Sequence, residues 1–155
     1  MPTAIKNSII DISSEKTTKE LAKKFSNYVK GGEVIFLYGE MGVGKTTFAK
    51  HLINQFQINK KIQTTEVLSP TFNLLYEYDF RNYKIMHYDL YRLTKERELI
   101  DLGLFSDNKK AIKIIEWPTL INTPVFDKLE VHIDYFKNKQ RKINLIGTGK
   151  WKKFK

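Results

Sequence analysis

The sequence contains no cysteine in its 155 residues, which excludes a disulfide framework and any thiolate metal site. It has no apolar run of membrane-spanning length. Its opening stretch "MPTAIKNSIIDIS" lacks the charged start and apolar core of a secretory leader. These absences together lead us to expect a cytoplasmic protein with no membrane association. The chain is long enough to bury a core as one domain, and 41% of its residues are hydrophobic. Arginine is scarce: only Arg81, Arg92, Arg97 and Arg141 among the 27 basic residues.

Acidic residues are missing from one place. Residues 1–136 hold 19 basic residues against all 17 acids, while "KNKQRKINLIGTGKWKKFK" at 137–155 holds eight basic residues and no acid. The net charge of +10 therefore sits mainly at that end. A basic segment with Trp151 and Phe154 interleaved suits weak contact with RNA, by phosphate pairing and base stacking. A lysine bias that only solvates a tail explains it as well. The domain is expected to occupy residues 1–149, with 150–155 as a basic C-terminal tail.

What is present alternates strand and helix patterns, without repeats or low-complexity linkers. "AIKNSIIDIS" reads as a strand. "TTKELAKKFSNYVKGG" reads as an amphipathic helix with capping-box spacing at Thr17 and Glu20, a face of Leu21, Phe25 and Tyr28, and a stop at Gly31. "EVIFLY" is a buried strand broken by Gly39. A second helix runs from Lys45 to about Gln57, with Phe48, Leu52, Ile53 and Phe56 as its buried stripe. "FNLLYEYDF" and "YKIMHYDLY" read as paired strands, "TKERELIDLG" as a short helix, "AIKIIEW" as a buried strand, and "KLEVHIDYF" with "RKINLIG" as a final hairpin. The expected fold is a single α/β domain. A central, mostly parallel sheet is flanked by helices and ends in an antiparallel hairpin.

Between the buried strand and the second helix, Gly39, Gly44, Lys45 and Thr46 fit G-x-x-x-x-G-K-[ST]. Glycines there let backbone amides approach and cradle phosphates beside the positive end of the helix. Lys45 is placed to reach the β and γ phosphates, and the Thr46 hydroxyl to ligate Mg²⁺. The chain is thus expected to bind a nucleotide. No N/T-K-x-D segment for guanine is present, "TKER" at Thr94 lacking the aspartate, so ATP is favoured. A small-molecule kinase usually clamps phosphates with several arginines, for their bidentate geometry, and four are few.

Three further stretches bear on the chemistry. Glu116 ends the apolar strand of "AIKIIEWP", where P-loop proteins place the acid that holds Mg²⁺. In "MHYDLYR", the alternation of His87, Asp89 and Tyr91 puts all three on one face of an extended chain. That face is either part of the site or an exposed sheet surface with Asp89 paired to Arg92. "NKKIQTTEVLSPTFNLL" ends in Ser69, Pro70 and Thr71, and is either a segment ordered by the γ-phosphate or a plain surface loop.

"GEMGVGKTTF", "SPTF", "HYDLYRL" and "IIEWP", in this order and spacing, closely resemble the TsaE (YjeE) family of bacterial ATPases, from Thr18 to about Ile146. That resemblance implies a role in making threonylcarbamoyladenosine in tRNA. It implies ATP phosphates on Gly39, Glu40, Met41, Gly42, Val43, Gly44, Lys45, Thr46 and Thr47, Mg²⁺ on Thr46 and Glu116, and hydrolysis dependent on Lys45, Asp89 and Glu116. Thr18 is expected near the base. Ser69, Pro70, Thr71, His87, Tyr91 and Arg92 form switch-like motifs, and Trp117 links the site to a partner surface. The partners implied are TsaD and TsaB, with tRNA met only indirectly, and the activity is one that the pair stimulates. The alternatives are a non-catalytic ATP-binding adaptor of that complex and a small-molecule kinase.

Overall fold

Alternating apolar residues give the sheet two buried faces. In the strand Val34–Tyr38, Ile35 and Leu37 face one side and Phe36 the other. The computed structural model describes residues 9–12, 14–29, 31–104, 111–125, 127–136 and 140–153. Its elements in chain order are β1 (Ile9–Asp11), α1 (Glu15–Tyr28), β2 (Val34–Tyr38), α2 (Lys45–Asn59), β3 (Leu75–Asp79), β4 (Lys84–Asp89), α3 (Arg97–Asp101), β5 (Ala111–Glu116), β6 (Lys128–Phe136) and β7 (Gln140–Gly147). Single 3-10 turns at Pro118–Leu120 and Gly149–Lys153 complete the set.

The seven strands form one sheet in the order β1-β7-β6-β2-β5-β4-β3. The four central strands β6, β2, β5 and β4 are parallel, whereas β3 on one side and β7 and β1 on the other pair antiparallel. The expected α/β architecture is therefore observed, with its parallel character confined to the centre and its final hairpin in place as β6–β7. Helices α1 and α2 pack together over one face, with the Phe25 and Phe48 rings edge to face at 5.5 Å. Leu52, Ile53 and Phe56 bury the same helical stripe against Ile35, Leu37, Ile112 and Ile114. On the opposite face Phe36, Met86, Tyr88 and Ile115 pack with Leu99 of α3 and with Leu104.

Several boundaries differ from the sequence reading for local reasons. Helix α1 begins earlier, because Ser14 caps it by accepting the Thr17 amide at 3.2 Å, which leaves Thr17 inside the first turn. Strand β3 starts only at Leu75, since residues 71–74 turn and the Leu74 amide donates back to Pro70 O at 2.7 Å. Residues 4–8 and 13 of the expected first strand lie outside the described residues, as do Lys137, Lys139, Phe154 and Lys155 of the basic end.

Trp151 corrects the stacking expectation. Its side chain is fully buried (0% exposed) against Tyr28 at 4.8 Å and Phe25 at 6.4 Å, so no face of the indole is open to a base. Lys150 is tied in as well. Its amide donates to Asp127 Oδ1 at 3.0 Å, its ammonium pairs with the buried Glu33, and its carbonyl accepts the Tyr28 hydroxyl. The segment through Trp151 is thus part of the fold, because burying an indole gains more than solvating it.

Candidate nucleotide and metal site

The carboxyl ends of three parallel strands converge, which in open α/β sheets is where ligands bind. Beyond β2 runs the glycine-rich loop, beyond β4 the turn at Tyr91, and beyond β5 the Trp117–Pro118 corner. Register brings the acids together, since Asp89 lies opposite Glu116 and Glu116 opposite Leu37.

The loop is shaped by what its glycines allow. A side chain at Gly39 (φ 153°) would place Cβ 2.6 Å from Val43 Cγ1 and 2.7 Å from Ile133 O, so only glycine fits there. Helix α2 then starts from Gly44 with no side-chain cap and no acid in its first turn, leaving its amides and positive dipole end available to an anion. Lys45 is nearly buried, and its ammonium donates to Gly39 O at 2.6 Å and Glu40 O at 2.9 Å, 4.2 Å from the centre of the Trp117 ring. Burial pushes the Lys45 ammonium below its ordinary pKa, and Glu116, Asp89 and Glu40 act against that.

Glu116 is the hub of the acidic side. Both its oxygens accept from the Thr46 hydroxyl, at 3.0 and 3.1 Å, and Oε2 accepts from His87 Nε2 at 2.7 Å. With the carboxylate only accepting, that contact puts the imidazole proton on Nε2. His87 is fully buried behind Glu116, so it orients the carboxylate and is not placed to hold a water in the cleft. Asp89 accepts from Thr71 Oγ1 at 3.1 Å and from the Tyr91 amide at 3.0 Å, while Ser69 and Thr71 share a hydrogen bond of 2.7 Å. Asp89 does not pair with Arg92, whose guanidinium donates to Phe72 O at 3.2 Å and lies over the Phe72 ring.

Between the loop and the acidic side lies an open cleft of about 310 Å³. The loop and helix contribute Met41, Gly42, Gly44, Lys45, Thr46 and Thr47. The other wall carries Ser69, Thr71, Asp89, Tyr91, Glu116 and Trp117. Gly39, Glu40 and Val43 support this wall through their backbone and packing contacts rather than lining it. Tyr91 corrects the shared-face reading. Strand β4 ends at Asp89, so Tyr91 sits in the following turn with its ring 4.7 Å from Trp117. Thr18 is not brought to the cleft: it is buried on α1, and its hydroxyl donates to Ile12 O and Ser14 O at 3.4 Å each. Pro70 is buried and anchors the turn below Thr71. The Leu74 carbonyl accepts the Asp89 amide at 3.0 Å, which docks the "SPTF" segment on the end of β4.

Two non-glycine residues beside the cleft, Leu74 (φ 68°) and Trp117 (φ 57°), adopt left-handed backbone conformations, at a cost of roughly 1–2 kcal/mol each. The Trp117 ring lies under the Lys45 ammonium. The donor set of Thr46 hydroxyl with Glu116 and Asp89 carboxylates is all oxygen, which suits Mg²⁺. Among the described residues no group of three or more His, Cys, Asp or Glu could hold a metal alone. Such an ion would therefore depend on phosphate oxygens and water for the rest of its shell.

Asp89 supplies a stability test. Burial, with Glu116 beside it, raises its pKa above the ordinary carboxylate value, against the hydrogen bonds from Tyr91 and Thr71. An acid that holds its proton more tightly when folded contributes most below its unfolded pKa. That contribution is lost as pH rises through the folded value. Asp89→Asn, which keeps an acceptor for the Tyr91 amide, is expected to melt no lower than the parent at pH 7 and to lose its advantage toward pH 4. Thermal melts across that range check it.

The fold and the cleft define a P-loop nucleoside-triphosphatase type of domain. The crystal structure of Bacillus subtilis YdiB superposes on this chain with a TM-score of 0.69 at 25% identity, covering 94% of this chain and 88% of that one. The family model for "threonylcarbamoyl adenosine biosynthesis protein TsaE" matches residues 12–143. Among proteins named "tRNA threonylcarbamoyladenosine biosynthesis protein TsaE", that of Rickettsia conorii is 35% identical over 90% of this chain and 78% of its own length. The Aquifex aeolicus protein is 42% identical over 66% of this chain and 92% of its own. The Bacillus subtilis protein is 31% identical over 85% and 80%. The chain belongs to the TsaE family.

Proposed function

We propose that this chain is a Mg²⁺-dependent ATPase of tRNA threonylcarbamoyladenosine synthesis that acts on a TsaD–TsaB complex and is activated by it. The P-loop fold and the family point to a nucleotide hydrolase in that pathway. The identity of the nucleotide, the ion and the partners is our reading. It rests chiefly on one arrangement: Lys45, Thr46, Glu116 and Asp89 around one cleft whose described lining includes no arginine. In this reading Lys45 and the loop amides hold the phosphates, Thr46 and Glu116 hold the ion, and Asp89 accepts a hydrogen bond from the attacking water. Mg²⁺, when bound, neutralises charge developing on the phosphates. The missing cationic stabilisation and the exposed cleft mouth (Tyr91 52% and Met41 63% exposed) support completion of the site by a partner. A cytoplasmic setting belongs to the same proposal. Among the described residues no helix is long and apolar enough to cross a membrane.

The test is phosphate release from Mg²⁺–ATP by the purified chain, alone and with the TsaD–TsaB pair. Slow release that rises sharply with the pair and disappears in Lys45→Ala is expected. If docking is demonstrated and release does not rise, the chain is an ATP-binding adaptor. Release that depends on a small hydroxyl acceptor would mark a kinase instead.

A further inference from the structure

Every side chain considered above for the phosphate loop lies on the loop itself or on the facing wall. The loop's outer side is held from elsewhere, by the β6–β7 hairpin. The Tyr135 hydroxyl on β6 donates to Gly42 O at 3.2 Å, and Arg141 Nη1 on β7 donates to Val43 O at 3.4 Å. The contact with the loop is close along its length. A Cβ at Gly39 would strike Ile133 O at 2.7 Å, and one at Gly44 (φ 120°) would lie 3.0 Å from Arg141 Nη1.

In a trans peptide the carbonyl and the following N–H point in opposite directions. Holding the Val43 carbonyl outward therefore turns the Gly44 amide toward the cleft. Holding the Gly42 carbonyl outward fixes the preceding plane, whose Val43 amide closes the turn onto Glu40 O at 3.2 Å. Arg141 also places a guanidinium beside the start of α2, which has no acid in its first turn.

We propose that Tyr135 and Arg141 are positioning residues of the phosphate loop, setting the peptide planes of Gly42–Val43 and Val43–Gly44 for diphosphate binding. The inference rests on the nucleotide reading of the cleft. It makes the terminal hairpin, remote in sequence, a determinant of nucleotide affinity.

The test titrates a fluorescent N-methylanthraniloyl-ADP with Mg²⁺ into the full chain and into Tyr135→Phe, Arg141→Lys, Arg141→Met and Lys45→Ala, with nucleotide-free melting curves for each. We expect Kd to rise about three- to tenfold in Tyr135→Phe and Arg141→Met, as for loss of one orienting hydrogen bond. Arg141→Lys should recover part of that loss, and nucleotide-free melting should hardly move. Lower melting with unchanged Kd would mean that the hairpin contacts serve stability alone, and overturns the proposal. Wild-type affinity in both variants, while Lys45→Ala fails to bind, overturns it but leaves the nucleotide site standing. No binding by the unsubstituted chain overturns both.

Discussion

Glu116→Ala is expected to lower stimulated phosphate release by about a hundredfold or more, the scale seen when one preorganised electrostatic group is removed from a reacting centre. Three interactions depend on this carboxylate: the part-buried Thr46 hydroxyl, the buried His87 Nε2 and the field that offsets the desolvation of Lys45. Truncation also strands His87, fully buried with Nε2 at 2.7 Å from the missing oxygen. An unsatisfied buried donor costs about 1–3 kcal/mol, so the alanine variant should melt lower as well. Glu116→Gln separates the two effects. Its amide oxygen still accepts from His87, so stability should be near that of the parent. Its lost charge should leave release almost as low as in the alanine variant. His87→Ala should give an intermediate loss, with a raised Mg²⁺ requirement, because it frees the carboxylate without neutralising it. Rates and melting curves for the three variants together check the assignment. Wild-type release in Glu116→Gln would remove this carboxylate's charge from the chemistry.

The second large effect is on folding. Trp151→Ala is expected to cost about 3–5 kcal/mol, the usual range for emptying a buried aromatic site. In a domain of this size that lowers melting by roughly 6–20 °C. The indole fills the space between α1 and the sheet, against Phe25 and Tyr28. Deleting residues 150–155 should do at least as much damage, since it also removes the ammonium paired with the fully buried Glu33. Glu33 would keep its hydrogen bond from the Gly31 amide but lose the paired charge, a destabilising change for a buried carboxylate. If the deletion melted like the parent, the segment would be the solvated tail that its lysines suggest. Nucleic-acid contact by that end would then have to be sought in a chain that folds without it.

Local patterns carried the phosphate loop, both main helices, the central strands and the hairpin. Gly39 to Thr46 need one spacing, and the stripe of Phe48, Leu52, Ile53 and Phe56 needs one helical period. Glu116 could be read as the end of a buried strand from "AIKIIEW" alone. These features depend on neighbours within a turn or a strand, so composition and order determine them. The tertiary structure decided what depends on distant partners. It put His87 behind Glu116 instead of in the cleft, and turned Tyr91 off the strand onto Trp117. It also drew Thr18 back onto its own helix, and pressed Tyr135 and Arg141 against a loop more than ninety residues away. Trp151 shows the reason most clearly. Its neighbours in sequence are lysines and a glycine that favour water, and only packing against α1, far along the chain, makes burial of its ring the lower free energy.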